Sequence, residues 1–262
     1  MNTNTLTTNP SSTWLIKATG VPFAILAYML GSAVLGWMIT LCLGITQHPG
    51  ILVSIENIAG AISLNLFLLG LWGYLHSAMA DPKVKRWLQH WVPAWLMRSI
   101  YVFVAAITLG LTLMAWQPLP LTMWHVETPL LRALIFSGSV LGWSLMFAAT
   151  FAIDHFDLFG LRQVWKRATA RAYEPAPFVL NWVYRLCRHP LMLGMLIGMW
   201  CVPTMTLGTI TFAIGCTAYV LVGIQHEERS LADELGPAYD VYQQTTPQLI
   251  PNIKRWFMPN RR

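Results

Sequence analysis

The chain has 262 residues, 55% hydrophobic and 11% charged, with 13 tryptophans and a mean hydropathy of +0.51, which excludes an ordinary soluble domain. Its net charge of +6 comes from 17 Lys and Arg dispersed over several loops. That dispersion excludes a concentrated nucleic-acid-binding face and leaves membrane topology as the use of the charge.

In chain order, residues 1–20 form a Thr/Asn-rich polar tail with no basic start and no small-residue cleavage pattern, so the first apolar run is expected to be retained as an anchor. A bilayer core needs about 20 apolar residues per helix, and Val21–Ile45, Ile58–Met79, Ser99–Trp116 and Leu130–Ile153 each meet that length. Leu191–Gln225 is too long for one untilted span and slightly short for two. With Pro203 near its middle, it predicts a tight helical hairpin turning at Val202–Leu207. Lys17 precedes the first span; Lys83, Lys85, Arg86 and Arg98 lie between spans two and three. Arg162, Lys166, Arg167, Arg171, Arg185 and Arg188 lie between four and five, and Arg229, Lys254, Arg255, Arg261 and Arg262 follow six. Only Arg132 falls on the other side. The expected fold is all-α: one multi-pass integral membrane helical bundle over residues 1–262, with about six spans, a C-terminal helical hairpin, short cytoplasmic helices and both termini cytoplasmic. Cys42, Cys187, Cys201 and Cys216 have no paired metal-ligand spacing, so they are expected to be buried free thiols and no metal site is predicted.

Polar groups that the bilayer would otherwise exclude mark candidate sites. On span two, Asn65, Leu69, Trp72 and His76 follow one helical stripe. On span four, Trp143, Phe147, Thr150 and Asp154 do the same, so two helices deliver an ionisable group to one membrane level. Interfacial solvation or helix packing is the alternative for both. Asp154 opens an aromatic-flanked acidic turn, Asp154-His155-Phe156-Asp157, where pure solvation explains less. In the third cluster, Pro190 suits the first turn of a helix and leaves Arg188 and His189 outside its N-terminus, a place for a carboxylate or phosphate. Gly194 and Gly198 permit close approach of a helix or a ligand. Glu227 and Glu228 close the run as acceptors, and Gly236-Pro237 starts a short helix carrying Tyr239 and Tyr242 on one face.

The ordered set Tyr184-Arg185-Leu186-Cys187-Arg188-His189-Pro190, Gly194, Glu227-Glu228-Arg229-Ser230-Leu231, Gly236, Tyr239, Tyr242 and Pro251 resembles the isoprenylcysteine carboxyl methyltransferase superfamily. The resemblance implies that residues 184–251 form a half that binds S-adenosylmethionine at the cytoplasmic face. Leu75-His76-Ser77-Ala78-Met79-Ala80, Arg98-Ser99-Ile100-Tyr101, His155-Phe156-Asp157-Leu158-Phe159-Gly160-Leu161-Arg162-Gln163-Val164-Trp165, Pro203-Thr204-Met205-Thr206 and Thr217-Ala218-Tyr219 look like bacterial methanethiol S-methyltransferases. That family implies methyl transfer from S-adenosylmethionine to methanethiol in a bacterial inner membrane, releasing dimethyl sulfide and S-adenosylhomocysteine. Two departures stand out: Met192 where a tyrosine is common, and His226 where an apolar residue is common.

A thiol is mostly protonated near neutrality, since the cysteine reference pKa is about 8.5, so a nearby base helps. His76 and Asp154 are the candidates from helix geometry, with Tyr101 and His155 behind them. Three alternatives stay open on residues alone: methylation of a lipid-linked or isoprenylated thiol or carboxylate, nicotinamide-dependent reduction as in membrane sterol reductases, and a haem or regulatory protein with His76 as axial ligand.

Overall fold

The computed structural model describes residues 16–46, 49, 55–175 and 182–251. Most of the polar N-terminal tail and the basic residues Lys254, Arg255, Arg261 and Arg262 lie outside the described residues. A π-helical turn at Ile16–Gly20 leads into α1 (Val21–Cys42), followed by α2 (Ile58–Ala80), the short α3 (Pro82–Leu88), α4 (Ala94–Ala115) and β1 (Thr122–His125). Then come α5 (Pro129–Ile153), α6 (His155–Leu158), α7 (Leu161–Ala168), a 3-10 turn at Trp182–Arg185, α8 (Pro190–Trp200), β2 (Thr204–Thr206), α9 (Leu207–Leu235) and α10 (Pro237–Thr245).

Helices α1, α2, α4, α5 and α9 are long and apolar enough to cross a membrane, and at most 39% of any such span is buried inside the protein. Lipid is therefore the solvent for most of their surface, and the chain is a multi-pass membrane protein. The described chain divides into two compact units. The first comprises residues up to Leu35, Leu75–Gly110 and Asp154–Pro177; the second comprises Gly36–Tyr74, Leu111–Ile153 and Phe178 onward.

In the second unit the hairpin turns at the expected place, but its arms are unequal. Helix α8 has 11 residues, about 17 Å at 1.5 Å per residue and roughly half of a hydrocarbon core. The chain then continues extended to Thr206, where β2 pairs antiparallel with β1. Non-helical backbone is tolerated in a membrane only when its polar groups are satisfied, and the segment before α5 does this. Val126 N–H donates to Pro203 O (2.9 Å), Leu207 N–H to Leu121 O (2.7 Å) and Gly208 N–H to Leu119 O (3.0 Å). The Trp124 indole donates to Val202 O (3.1 Å). The segment expected to form the sixth span is thus an 11-residue helix followed by a short strand, and the strand pair is the element that the all-helical expectation did not contain.

Helices α5 and α8 of this unit pack backbone to backbone. A Cβ on Gly194 would lie 2.5 Å from Met146 N, and one on Gly142 would lie 2.5 Å from Gly198 N. Small residues at such crossings let helices associate without a hydrophobic driving force. Asn65 is buried and ties α2 to the chain after α4: its amide donates to Gln117 O (3.0 Å), and its Oδ1 accepts Gln117 N–H (2.8 Å). The polar residue of the span-two stripe is a packing clamp.

In the first unit, α6 and α7 are pinned to the start of α4. The Arg98 Nε donates to Leu158 O (2.6 Å) and the Ser99 hydroxyl to Gly160 O (3.1 Å). Gly160 sits at φ +86°, and a Cβ there would approach Ser99 N to 2.6 Å, so the turn requires glycine.

Candidate active site

The second unit gathers most of the residues expected to hold a cofactor. Pro190 begins α8 as its first helical residue, leaving Arg188 and His189 at the N-terminus, which has no side-chain cap. Their backbone N–H groups donate to Pro247 O (2.9 Å) and Gln248 O (3.2 Å). The chain after α10 thereby holds the Arg-His-Pro turn in place.

Arg188 is 11% exposed, and its fork is fully used within the protein. Nε and Nη2 both reach Glu228 Oε1 at 2.7 Å; Nη1 donates to Gln243 O (3.0 Å) and Thr246 O (2.7 Å). Glu228 also takes His189 Nε2 at 2.9 Å, while His189 Nδ1 lies 3.5 Å from Glu227 Oε2. Burial alone would lower the His189 pKa, but hydrogen bonds and charge from Glu227 and Glu228 outweigh it, and the imidazole is held above its ordinary value. Glu227 differs from Glu228 in being 48% exposed, so its carboxylate can meet a ligand.

Two tyrosines complete the knot. Tyr242 O–H donates to the Tyr184 carbonyl (2.8 Å), and the rings of Tyr239 and Tyr242 stand 5.9 Å apart. Burial pushes the Tyr239 phenol up to about 12 and raises Tyr184 and Tyr242 as well, so all three remain neutral donors. Arg185 is half-buried on the 3-10 turn that carries Tyr184, and its guanidinium has no hydrogen-bond or ion-pair partner among the described residues. Gly194 serves the α5 contact. Cys187 lies beside the turn as a buried free thiol, and burial pushes it up to about 11; such thiols are inert.

The four residues expected to manage the thiol proton all lie in the first unit. His76 Nε2 and the Tyr101 hydroxyl are hydrogen-bonded at 2.6 Å, and the Arg98 guanidinium carbon lies 5.0 Å from the Tyr101 ring centroid. The Nε2 of His76 is thus committed to Tyr101. Asp154 is differently placed: Oδ1 caps α6 by accepting Asp157 N–H (3.0 Å), and Oδ2 pairs with Arg162 Nη1. Both oxygens serve local structure. His155 is buried, with Nε2 3.1 Å from the Tyr28 hydroxyl, and its pKa is lowered by burial, with Asp154 opposing.

Sequence reasoning had no signal for Tyr28, one hydroxyl in an apolar span, nor for the carbonyls of Gln243 and Thr246 that immobilise Arg188. Arg162 was visible as a loop charge and as part of the motif after His155, not as the partner of Asp154.

The family model described as NnrU protein matches residues 64–253. Methanethiol S-methyltransferase of Pseudomonas sp. is 39% identical over 207 residues, 79% of this chain and 78% of that protein. Its namesake in Mycobacterium tuberculosis is 40% identical over 194 residues, covering 74% and 80%. Nurim of Bos taurus is 31% identical over 180 residues, covering 65% and 67%. No solved structure matches. With the model spanning the Arg188–Glu228 knot and the His76–Tyr101 pair alike, the chain belongs to the NnrU protein family, together with the methanethiol S-methyltransferases.

Proposed function

We propose that this membrane methyltransferase moves a methyl group from S-adenosylmethionine to methanethiol, giving dimethyl sulfide and S-adenosylhomocysteine, with residues 184–251 holding the cofactor. The half-exposed Glu227 beside His189, with the unengaged Arg185 guanidinium in the same segment, carries this reading. Together they supply opposite charges for the ammonium and carboxylate of an amino-acid ligand. The relatives named for the methanethiol reaction supply the substrate. Arg188, Glu228 and the chain after α10 form the frame that holds the Arg-His-Pro turn.

When bound, S-adenosylmethionine supplies a methyl group on a sulfonium, already activated for displacement. The protein therefore has to align the thiol and exclude water. The thiol must also lose its proton, and we assign that step to His76 and Tyr101, whose short hydrogen bond can pass a proton between ring nitrogen and phenol. Asp154 and His155 hold the α6 turn. A small apolar thiol partitions into the bilayer and reaches such a protein from the lipid. Both termini and the Arg188 end lie on the cytoplasmic side of a bacterial inner membrane in this proposal.

The test is purified protein in nanodiscs with methyl-labelled S-adenosylmethionine and methanethiol. Labelled dimethyl sulfide and S-adenosylhomocysteine should appear one for one, without a nicotinamide cofactor. Folded protein that binds S-adenosylmethionine but yields no dimethyl sulfide would overturn the substrate; folded protein that does not bind it would overturn the donor.

A further inference from the structure

The first unit contains a cavity of about 470 Å³ whose lining includes none of the residues assigned above to cofactor binding or to thiol deprotonation. Val21, Ala24 and Ile25 of α1 form one wall, and Phe156, Leu161, Val164 and Trp165 form the other. Ile25, Phe156 and Trp165 are each about half exposed (49%, 51% and 59%), so the cavity opens outward at an apolar mouth. Its size and lining match a ligand site with few polar groups. Those polar groups are Asp154 and Arg162.

The two charges are not equivalent. Asp154 has one oxygen on Asp157 N–H and the other on Arg162. Arg162 spends only Nη1 on that pair, leaving Nε and Nη2 without partners among the described residues, on a side chain 30% exposed. A guanidinium with a free N–H edge matches the oxygens of a phosphate diester.

The helix carrying Arg162 explains how such a group reaches it. Along α7, Leu161, Val164 and Trp165 line the cavity while Lys166 and Arg167 follow in its last turn. Apolar and basic residues on separate faces are the pattern of a helix lying in the membrane interface. An amphiphile there has its tail level with the start of the α1 span and its head level with Arg162.

We infer that this cavity binds one phospholipid, its phosphate on the free edge of Arg162 and an acyl chain along Val21, Ala24, Ile25, Phe156 and Trp165. None of the lining residues is among those proposed to hold the cofactor, and the inference does not depend on which thiol is methylated.

Delipidated full-length protein in detergent is titrated by native mass spectrometry with phosphatidylglycerol, phosphatidylethanolamine, diacylglycerol and inorganic phosphate. One phospholipid should bind per chain at least about tenfold more tightly than diacylglycerol, the scale of a hydrogen bond to a charged group. Phosphatidylglycerol and phosphatidylethanolamine should bind comparably, because the phosphate is what they share. Arg162→Met should abolish the preference over diacylglycerol, and Ile25→Trp, which fills the cavity mouth, should weaken binding of both phospholipids. Ile25→Trp leaves the Asp154–Arg162 pair intact, so it carries the test even if Arg162→Met fails to fold. Equal affinity for diacylglycerol, saturation by inorganic phosphate as tight as by phospholipid, or unchanged binding in a folded Ile25→Trp protein would overturn the site.

Discussion

Two arginines three residues apart are expected to fail differently, because Arg188 has spent its donors and Arg185 has not. Arg188→Ala leaves Glu228 buried without its guanidinium and two carbonyls without donors, which should cost about 3–5 kcal/mol of stability and show as a large fall in melting temperature. Arg185→Ala should leave melting unchanged and raise the KM for S-adenosylmethionine about tenfold or more. Equal loss of cofactor binding in both, with native melting, would reject the division of labour. His189 adds a pH signature. Its folded-state pKa is raised by Glu227 and Glu228, so its stabilisation is fully present below the ordinary value of about 6.5 and is lost as pH rises through the raised value. Melting temperature should therefore fall across neutral pH, and Glu228→Gln should flatten the fall. In the other unit, His76→Gln or Tyr101→Phe should lower kcat by about 10²–10⁴-fold near pH 7 and recover at high pH, where solvent supplies thiolate. Asp154→Asn should lower melting temperature and leave the shape of the pH–rate profile intact; an alkaline rescue confined to Asp154→Asn would return the base role to it.

Helices show where sequence reasoning succeeds and stops. The expected spans Val21–Ile45, Ile58–Met79 and Leu130–Ile153 agree with α1, α2 and α5 to within a few residues, because apolar run length is a local quantity that a bilayer reads directly. The third span begins at Ala94 rather than Ser99: Arg98 sits inside the helix, its charge accommodated by the Tyr101 ring one turn on and by the Leu158 carbonyl, a partner that no local count contains. The strand pair was illegible for the same reason, since Thr122–His125 and Thr204–Thr206 gain meaning only from each other. The arginine fork was half legible: its acidic partner was visible in the Glu-Glu pair, its carbonyl partners were not. Glycine spacing left a helix or a ligand open at Gly194 and Gly198, and in the structure helix α5 faces both. At Gly194 the atom facing a new Cβ is backbone, which cannot yield. Gly194→Ala should therefore cost about 1–3 kcal/mol in a melting experiment, while Gly36→Ala, with open space around it, should cost nothing measurable. Equal effects would mean that the α5–α8 crossing can relax.

At the scale of the whole molecule, whether α8 and the strand after it form one composite crossing decides on which side the Glu227–Glu228 end emerges. If α8 and the extended chain to Thr206 together traverse the bilayer, α9 returns and Glu234 shares a side with Gln89 and Glu174. If the 11-residue α8 only dips in and comes back, the parity changes and Glu234 appears opposite them. Pairing of β2 with β1 favours traversal, because β1 belongs to the connection between α4 and α5, on the side that carries Arg132 as its only basic residue. The concentration of Lys and Arg on the remaining loops is the positive-inside pattern, which predicts that those loops face the cytoplasm. Single cysteines read this out in a Cys201→Ser background, the other native cysteines being buried. In intact cells a membrane-impermeant maleimide should label Thr128→Cys and spare Gln89→Cys, Glu174→Cys and Glu234→Cys, all four at exposed positions, with labelling of the latter three only after the cells are opened. Labelling of Glu234→Cys alone among those three would sink the composite crossing and leave five true spans; labelling of all three, with Thr128→Cys protected, would invert the topology while leaving the crossing intact.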